Sequence, residues 1–220
     1  MKRTSLTIVL CLLTTLMLSV TVGAWDVLYD ASSGLLPTAA SLAWSRVGNG
    51  QPTVADGLLR IQPSGVRYTR EVWAIDAGVP VTMEARMSLA ASSTEVPLSI
   101  QTKSCGAVVR VYPDHLATYL FGGSEVTFNY GFTTFRTIRL AYDGGSRMYA
   151  WVDNQLAFSW TIWTGGQDGI YFGTYNSPSF DSYWQYVAYS KQFLPVPEPS
   201  CLLALLAGLS GFGAVLRRRR

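Results

Sequence analysis

Few side chains in this 220-residue sequence are placed for catalysis. His115 is the sole histidine and follows Pro113-Asp114, a turn signal, so it is expected as a solvent-exposed turn residue. One imidazole cannot furnish a multi-histidine zinc site. No motif around it supplies the partners of a Ser-His-Asp triad. The glutamates Glu71, Glu84, Glu95 and Glu125 are isolated. Glu84 sits in an alternating run but is followed by Ala85-Arg86-Met87-Ser88, with no second carboxylate. Its expected role is an exposed strand residue paired with a cation on a neighbouring strand. No glycine-rich phosphate loop precedes a helix, which leaves nucleotide binding without support. Cys105 is either a reactive thiol or, on the plainer reading, a small buried hydrophobe. The sequence therefore names no catalytic residue.

Aromatic side chains carry more information. All seven Trp and all 12 Tyr fall in residues 25–192. Sugar rings stack on exposed aromatic faces, and the polar tips of Trp and Tyr bond hydroxyl groups. Trp160, Ile162 and Trp163 lead into Thr164-Gly165-Gly166-Gln167, which places Trp163 near a loop. Tyr175 and Phe180 fall in the next loop. Trp163 and Tyr175 are the candidate ligand surface. Trp151, Trp184 and Tyr186 sit on strand positions where either face can hold an aromatic, and most of the remaining rings are expected to fill a core.

The elements that must position these groups read as β throughout residues 25–192. In Val81–Leu89, the residues Val81, Met83, Ala85, Met87 and Leu89 are apolar, and Thr82, Glu84, Arg86 and Ser88 are polar. That period of two predicts a strand with one buried face. Val126, Phe128 and Tyr130 alternate in the same way, and so do Leu156, Phe158 and Trp160. Asp153-Asn154 predicts a tight primed hairpin turn between Met148–Val152 and Leu156–Trp160. Asp143-Gly144-Gly145-Ser146, Gly122-Gly123-Ser124 and Pro113-Asp114 mark further connections. Roughly eleven short strands, with one short helical run over Thr38–Trp44, argue for an antiparallel sandwich or barrel.

Four segments resemble the concanavalin-A-like jelly roll of lectins, glucanases and laminin-G-like domains. They are VADGLLRI with Asp56-Gly57, VTMEARM, FRTIRLAYDGGSRMYAWVDNQLAFSW, and GIYFGTYNSPSFDSYWQYVAYS. The resemblance implies an all-β antiparallel jelly-roll β-sandwich over 25–192. Laminarinase-type glycosidases of that fold carry Glu-x-Asp-x-x-Glu on one strand, which spaces two carboxylates for a retaining mechanism. The pattern is missing here, so the resemblance points to a non-catalytic relative. It also implies calcium as a candidate cofactor through loop oxygens. Asp168, Asn176 and Asp181 flank the Gly169–Thr174 strand and are the candidate ligands, with plain turn formation as the alternative.

The ends differ from the middle. Six of the 17 Lys and Arg are terminal, and residues 25–196 hold 11 cations against 13 Asp and Glu, a net charge of −2. The pI near 8.8 is thus a property of the ends and gives no argument for nucleic acid as a partner. The mean hydropathy of +0.20 likewise owes much to the two ends. Lys2 and Arg3, the apolar Leu6–Val20, and Val22-Gly23-Ala24 before Trp25 form the three parts of a secretory signal peptide over 1–24. Cleavage is expected between Ala24 and Trp25. Cys11 and Cys201 lie in the terminal apolar runs, leaving Cys105 without an intramolecular disulfide partner in the middle region.

After a Pro-rich linker over 193–199 comes an apolar run over 200–216, then the tail Arg217–Arg220. The run is marginal as a transmembrane helix, and the arginines would stay cytoplasmic. Pro197-Glu198-Pro199, the apolar helix, and Arg217, Arg218, Arg219 and Arg220 together resemble the PEP-CTERM sorting signal of Gram-negative bacteria. The resemblance implies recognition and cleavage near Pro197, Glu198 and Pro199 by an exosortase, transient residence in the inner membrane, and final placement at the cell surface or in an extracellular matrix. It also makes an extracellular polysaccharide a plausible partner. The resulting expectation is an exported, non-catalytic sandwich that binds carbohydrate or another matrix polymer. The alternatives are a purely structural or adhesive matrix protein and, with least support, a divergent glycosidase.

Overall fold

The computed structural model describes residues 25–40, 44–62, 66–70, 78–101, 106–119, 124–161, 169–174 and 180–196. Fifteen strands lie among them: β1 (Val27–Asp30), β2 (Ser45–Val47), β3 (Thr53–Ala55), β4 (Leu58–Ile61), β5 (Val66–Arg70), β6 (Val81–Leu89), β7 (Val96–Gln101), β8 (Gly106–Val111), β9 (His115–Tyr119), β10 (Glu125–Asn129), β11 (Arg136–Tyr142), β12 (Arg147–Val152), β13 (Gln155–Thr161), β14 (Gly169–Thr174) and β15 (Ser182–Ser190). They form two antiparallel sheets. Sheet A runs β13-β12-β11-β6-β15-β4-β3, with β1 also paired to β15, and sheet B runs β10-β9-β8-β7-β14-β5-β2. At the start of the run Thr38–Trp44 there is a 3-10 turn at Pro37–Ala39, and another lies at Ala31–Ser33, while residues 41–43 lie outside the described residues. Proline at the first position favours such a turn, because its fixed φ suits the first helical residue and the N–H it lacks would be unpaired there. Among the described residues no helix is long and apolar enough to cross a membrane.

Alternating side chains from both sheets meet in the middle. Val81, Met83, Ala85, Met87 and Leu89 of β6 are all 2% exposed or less, as their period predicts. Phe172 of sheet B lies 4.9 Å, centroid to centroid, from Trp184 of sheet A, with Trp44 at 5.1 Å and Tyr68 at 5.4 Å. At the other side, Phe128 of β10 meets Phe158 of β13 at 6.3 Å, edge to face. Each fully buried ring of this kind contributes on the order of 2–3 kcal/mol of apolar burial, and these contacts join the sheets.

Turn chemistry follows the sequence closely. Asp56-Gly57 (φ 53° and 72°) joins β3 to β4, and Asp153-Asn154 (φ 46° and 70°) joins β12 to β13. Positive φ at both central residues is the primed turn whose twist suits a two-residue hairpin. Asp153 also accepts hydrogen bonds from Thr137 N (2.9 Å) and Arg136 Nη1 (3.0 Å), which pays for its left-handed backbone.

Two bulges break the alternation that the sequence suggests. One lies in the β12–β13 pairing at Ala150/Trp151. Leu156, expected on the buried face with Phe158 and Trp160, is thereby turned outward opposite Trp151 and is 51% exposed. The other lies in β15 between Trp184 and Tyr186. It lets Trp184 enter the core while Tyr186 points to the outer face of sheet A.

Candidate functional site

The outer face of sheet A was expected to be open, and it is not. Thr82 is 0%, Ser88 6% and Glu84 9% exposed, which corrects the reading of Glu84 as an exposed strand residue. The register sets Glu84 beside Arg139 of β11. Arg139 Nη2 lies 2.6 Å from Glu84 Oε2, and the Tyr186 hydroxyl donates to Glu84 Oε1 at 2.8 Å. Trp25 lies under the Arg139 guanidinium, 5.6 Å away. The segment after β15 crosses the same face, with Phe193 5.5 Å from Tyr149. The cation pairing was legible and the covering was not. Both Glu84 oxygens are committed to these partners, an arrangement suited to holding a face together and unsuited to protonating a glycosidic oxygen.

The outer face of sheet B carries a more accessible cluster. Val109 and Val111 of β8 point into the core, which sends Arg110 outward and Tyr112 after it to the same side. Val96 pairs with Val111, so Glu95 falls beside Tyr112. Glu95 Oε2 accepts from Arg110 Nη1 and from the Tyr112 hydroxyl, both at 2.9 Å. The Pro113-Asp114 turn closes with Tyr112 N donating to His115 O at 2.9 Å. This sets the His115 ring flat on Tyr112, with centroids 4.3 Å apart and planes 11° from parallel. His115 Nδ1 donates to Asp114 Oδ1 at 2.7 Å. That bond holds the Asp114 carboxyl below its ordinary value. Burial first, and the Glu95 carboxylate second, push the Tyr112 phenol up to about 12, so it remains a neutral donor at physiological pH.

His115 is therefore not a free turn residue. It opens β9, and its side chain is only 25% exposed because Tyr112 covers one face. What stays accessible is part of this stacked aromatic pair, beside two carboxylates and a guanidinium. Such a surface can stack on the apolar face of a sugar ring and bond its hydroxyls. Among the described residues no hydroxyl is hydrogen-bonded to His115 Nε2.

Of the sequence candidates, Trp163, Tyr175, Asp168, Asn176, Cys105, Ala24, Pro197, Glu198, Pro199 and Arg217 to Arg220 lie outside the described residues. Asp181 is described, and its carboxylate is occupied. It accepts from Arg60 Nε at 2.9 Å, Arg60 Nη2 at 2.6 Å and the Tyr183 hydroxyl at 3.2 Å. A cation at Asp181 would have to displace that guanidinium. Among the described residues no three His, Cys, Asp or Glu side chains converge as metal ligands.

Four phenols are held above their ordinary range, each chiefly by burial: Tyr68, Tyr112 and Tyr186 at about 12, and Tyr29 higher still. A raised native pKa leaves stability intact below the unfolded value of about 10 and removes it as pH climbs toward the native value. The expected result is alkaline unfolding between pH 10 and 12, with these phenolates appearing only as the fold is lost. Absorbance at 295 nm alongside circular dichroism measures it. All 12 tyrosines ionising together near pH 10 in a retained fold would contradict it.

No family model matches the chain, and no curated protein matches it. Solved structures do resemble it in fold. The binding domain of botulinum neurotoxin DC in complex with SialylT superposes with a TM-score of 0.56 at 8% identity, over 78% of this chain and 48% of that one. A structure of botulinum neurotoxin type C, whose cell entry depends upon interaction with two ganglioside molecules, gives 0.53 at 10%, over 76% and 48%. The serotype G binding domain gives 0.54 at 10%, over 83% and 51%. This chain thus spans about half the length of each, and the first and third are binding domains. The architecture is an antiparallel two-sheet jelly-roll sandwich of the kind found in those toxin domains.

Proposed function

We propose that the folded region is a non-catalytic module that binds carbohydrate or a related extracellular polymer. We further propose that the chain is exported and processed at its C-terminus by an exosortase-type protease of a Gram-negative bacterium. The observation that carries the binding reading is the partly exposed Tyr112–His115 stack beside Glu95, Arg110 and Asp114. Botulinum relatives in fold that engage SialylT and gangliosides support a glycan as the ligand class. The sorting reading is supported by Pro197-Glu198-Pro199, the apolar run and Arg217–Arg220 in that order.

The binding test is a glycan array probed with the secreted protein and its Tyr112→Ala variant. Losing one stacking ring is expected to weaken binding about tenfold, close to 1.4 kcal/mol, compared at a temperature where circular dichroism shows both proteins folded. Equal binding by both proteins would remove Tyr112 from the site. No glycan binding by either, with self-association instead, would favour a structural or adhesive matrix protein. Intact mass of the mature protein reports whether cleavage follows Ala24 and whether the C-terminal run is removed.

A further inference from the structure

The segment that leads toward Pro197 does not leave the domain freely. Thr82, fully buried on β6, uses its one hydroxyl twice. It donates to Gln192 O at 2.7 Å and accepts from Leu194 N at 2.9 Å. Arg139, already paired with Glu84, donates from Nη1 to Leu194 O at 3.3 Å. Phe193 packs on Tyr149, and Lys191 N donates to Asp26 Oδ2 at 2.5 Å. Both backbone groups of Leu194 are thus held by sheet A, along with the carbonyl two residues before it.

We propose that residues 191–196 form a clasp that withholds the C-terminal sorting segment from its protease while the domain is folded. The proposal rests on the sorting reading above. Only Pro195 and Val196 separate Leu194 from Pro197. Extended chain advances at most about 3.3–3.6 Å per residue, so three residues can carry the chain no more than roughly 10 Å beyond the last held residue. A protease engages its substrate as extended backbone with free N–H and C=O groups on both sides of the cut, in the manner of strand addition. On the upstream side, a closed clasp has already engaged both groups of Leu194 and the carbonyl of Gln192. Cleavage then proceeds before the clasp closes or through its transient opening, and its rate reports the opening equilibrium.

The test uses the full-length chain in an exosortase-bearing Gram-negative host. Pulse-chase follows loss of the C-terminal run, and hydrogen exchange of the Leu194 amide is measured on the purified protein. Thr82→Val keeps the side-chain shape and removes both hydroxyl bonds. Phe193→Ala loosens the clasp by a separate route and guards against a folding defect in the first variant. With both hydroxyl bonds lost, Leu194 exchange and processing should both accelerate about fivefold or more. Faster exchange with unchanged or slower processing would overturn the gate. An unprotected Leu194 in the unaltered protein would show that no clasp exists. If no form loses its C-terminus while Leu194 remains protected, the sorting reading has failed and the gate fails with it, although the contact survives.

Discussion

Glu84→Ala should destabilise the domain by about 3–5 kcal/mol, the usual cost of leaving a covered charge without its partner. The glutamate carboxylate takes a guanidinium contact at 2.6 Å from Arg139 and a hydrogen bond from Tyr186. Its side chain is 11% exposed and that of Arg139 20%, so water can replace neither bond in full. Removing Glu84 also frees the Arg139 guanidinium that holds Leu194 O, and the segment over the sheet should loosen with it. Chemical denaturation should show a lower midpoint at an unchanged slope. The double replacement Glu84→Leu with Arg139→Met should recover much of the loss, because an apolar pair has no charge to strand. A near-neutral single variant would mean that this outer face is wetter than its geometry indicates. The same variant bears on catalysis. Measurable β-glucan hydrolysis that vanishes with Glu84 in a protein still folded would revive the glycosidase alternative.

Gly173→Ala should cost about 2–4 kcal/mol from left-handed strain plus overpacking. Gly173 sits near the end of β14, between β7 and β5, at φ +80°. A Cβ there would lie 2.5 Å from Val66 O and 3.1 Å from Ile61 Cδ1. The carbonyl cannot retreat without disturbing the β14–β5 ladder, in which Gly173 faces Arg67 and Thr174 faces Val66. Gly34→Ala provides the control. Its φ of +73° is similar, but nothing lies within 4 Å of the added carbon. Only the backbone cost of about 1–2 kcal/mol remains there. Thermal melts of the two variants side by side separate steric from conformational loss, and equal melting temperatures would contradict the close approach at Val66.

The all-β sandwich was legible because its signals are local. Val81–Leu89 alternates along its own length, and Asp56-Gly57 and Asp153-Asn154 carry their turn type in two residues. What was not legible depends on partners distant in sequence. Thr82, Glu84 and Ser88 read as solvent-facing because their polarity suggested it, yet Gln192 and Leu194 lie more than 100 positions away. Leu156 was misplaced by a bulge set in the β12–β13 pairing, a register fact that no alternation within β13 reveals. The Tyr112 cluster needed the Val96–Val111 pairing to bring Glu95 alongside. Its single sequence trace was His115 next to Pro113-Asp114, which read as a turn and nothing more. The sequence-chosen aromatics Trp163 and Tyr175 lie outside the described residues, so the Tyr112 surface stands beside that expectation without replacing it.

The position of β15 has a mechanical consequence. The last strand is not at an edge: β6 flanks it on one side, and β4 and β1 share the other. Hydrogen bonds between antiparallel strands run across the strand direction. Tension directed along β15 therefore loads the bonds on both of its sides in parallel, as a lap joint does. A surface tether at residue 196 and a polymer gripped near Tyr112 would put that tension across the core, from the outer face of one sheet to the centre of the other. A pull along β15 is thus met by ladders on both of its sides.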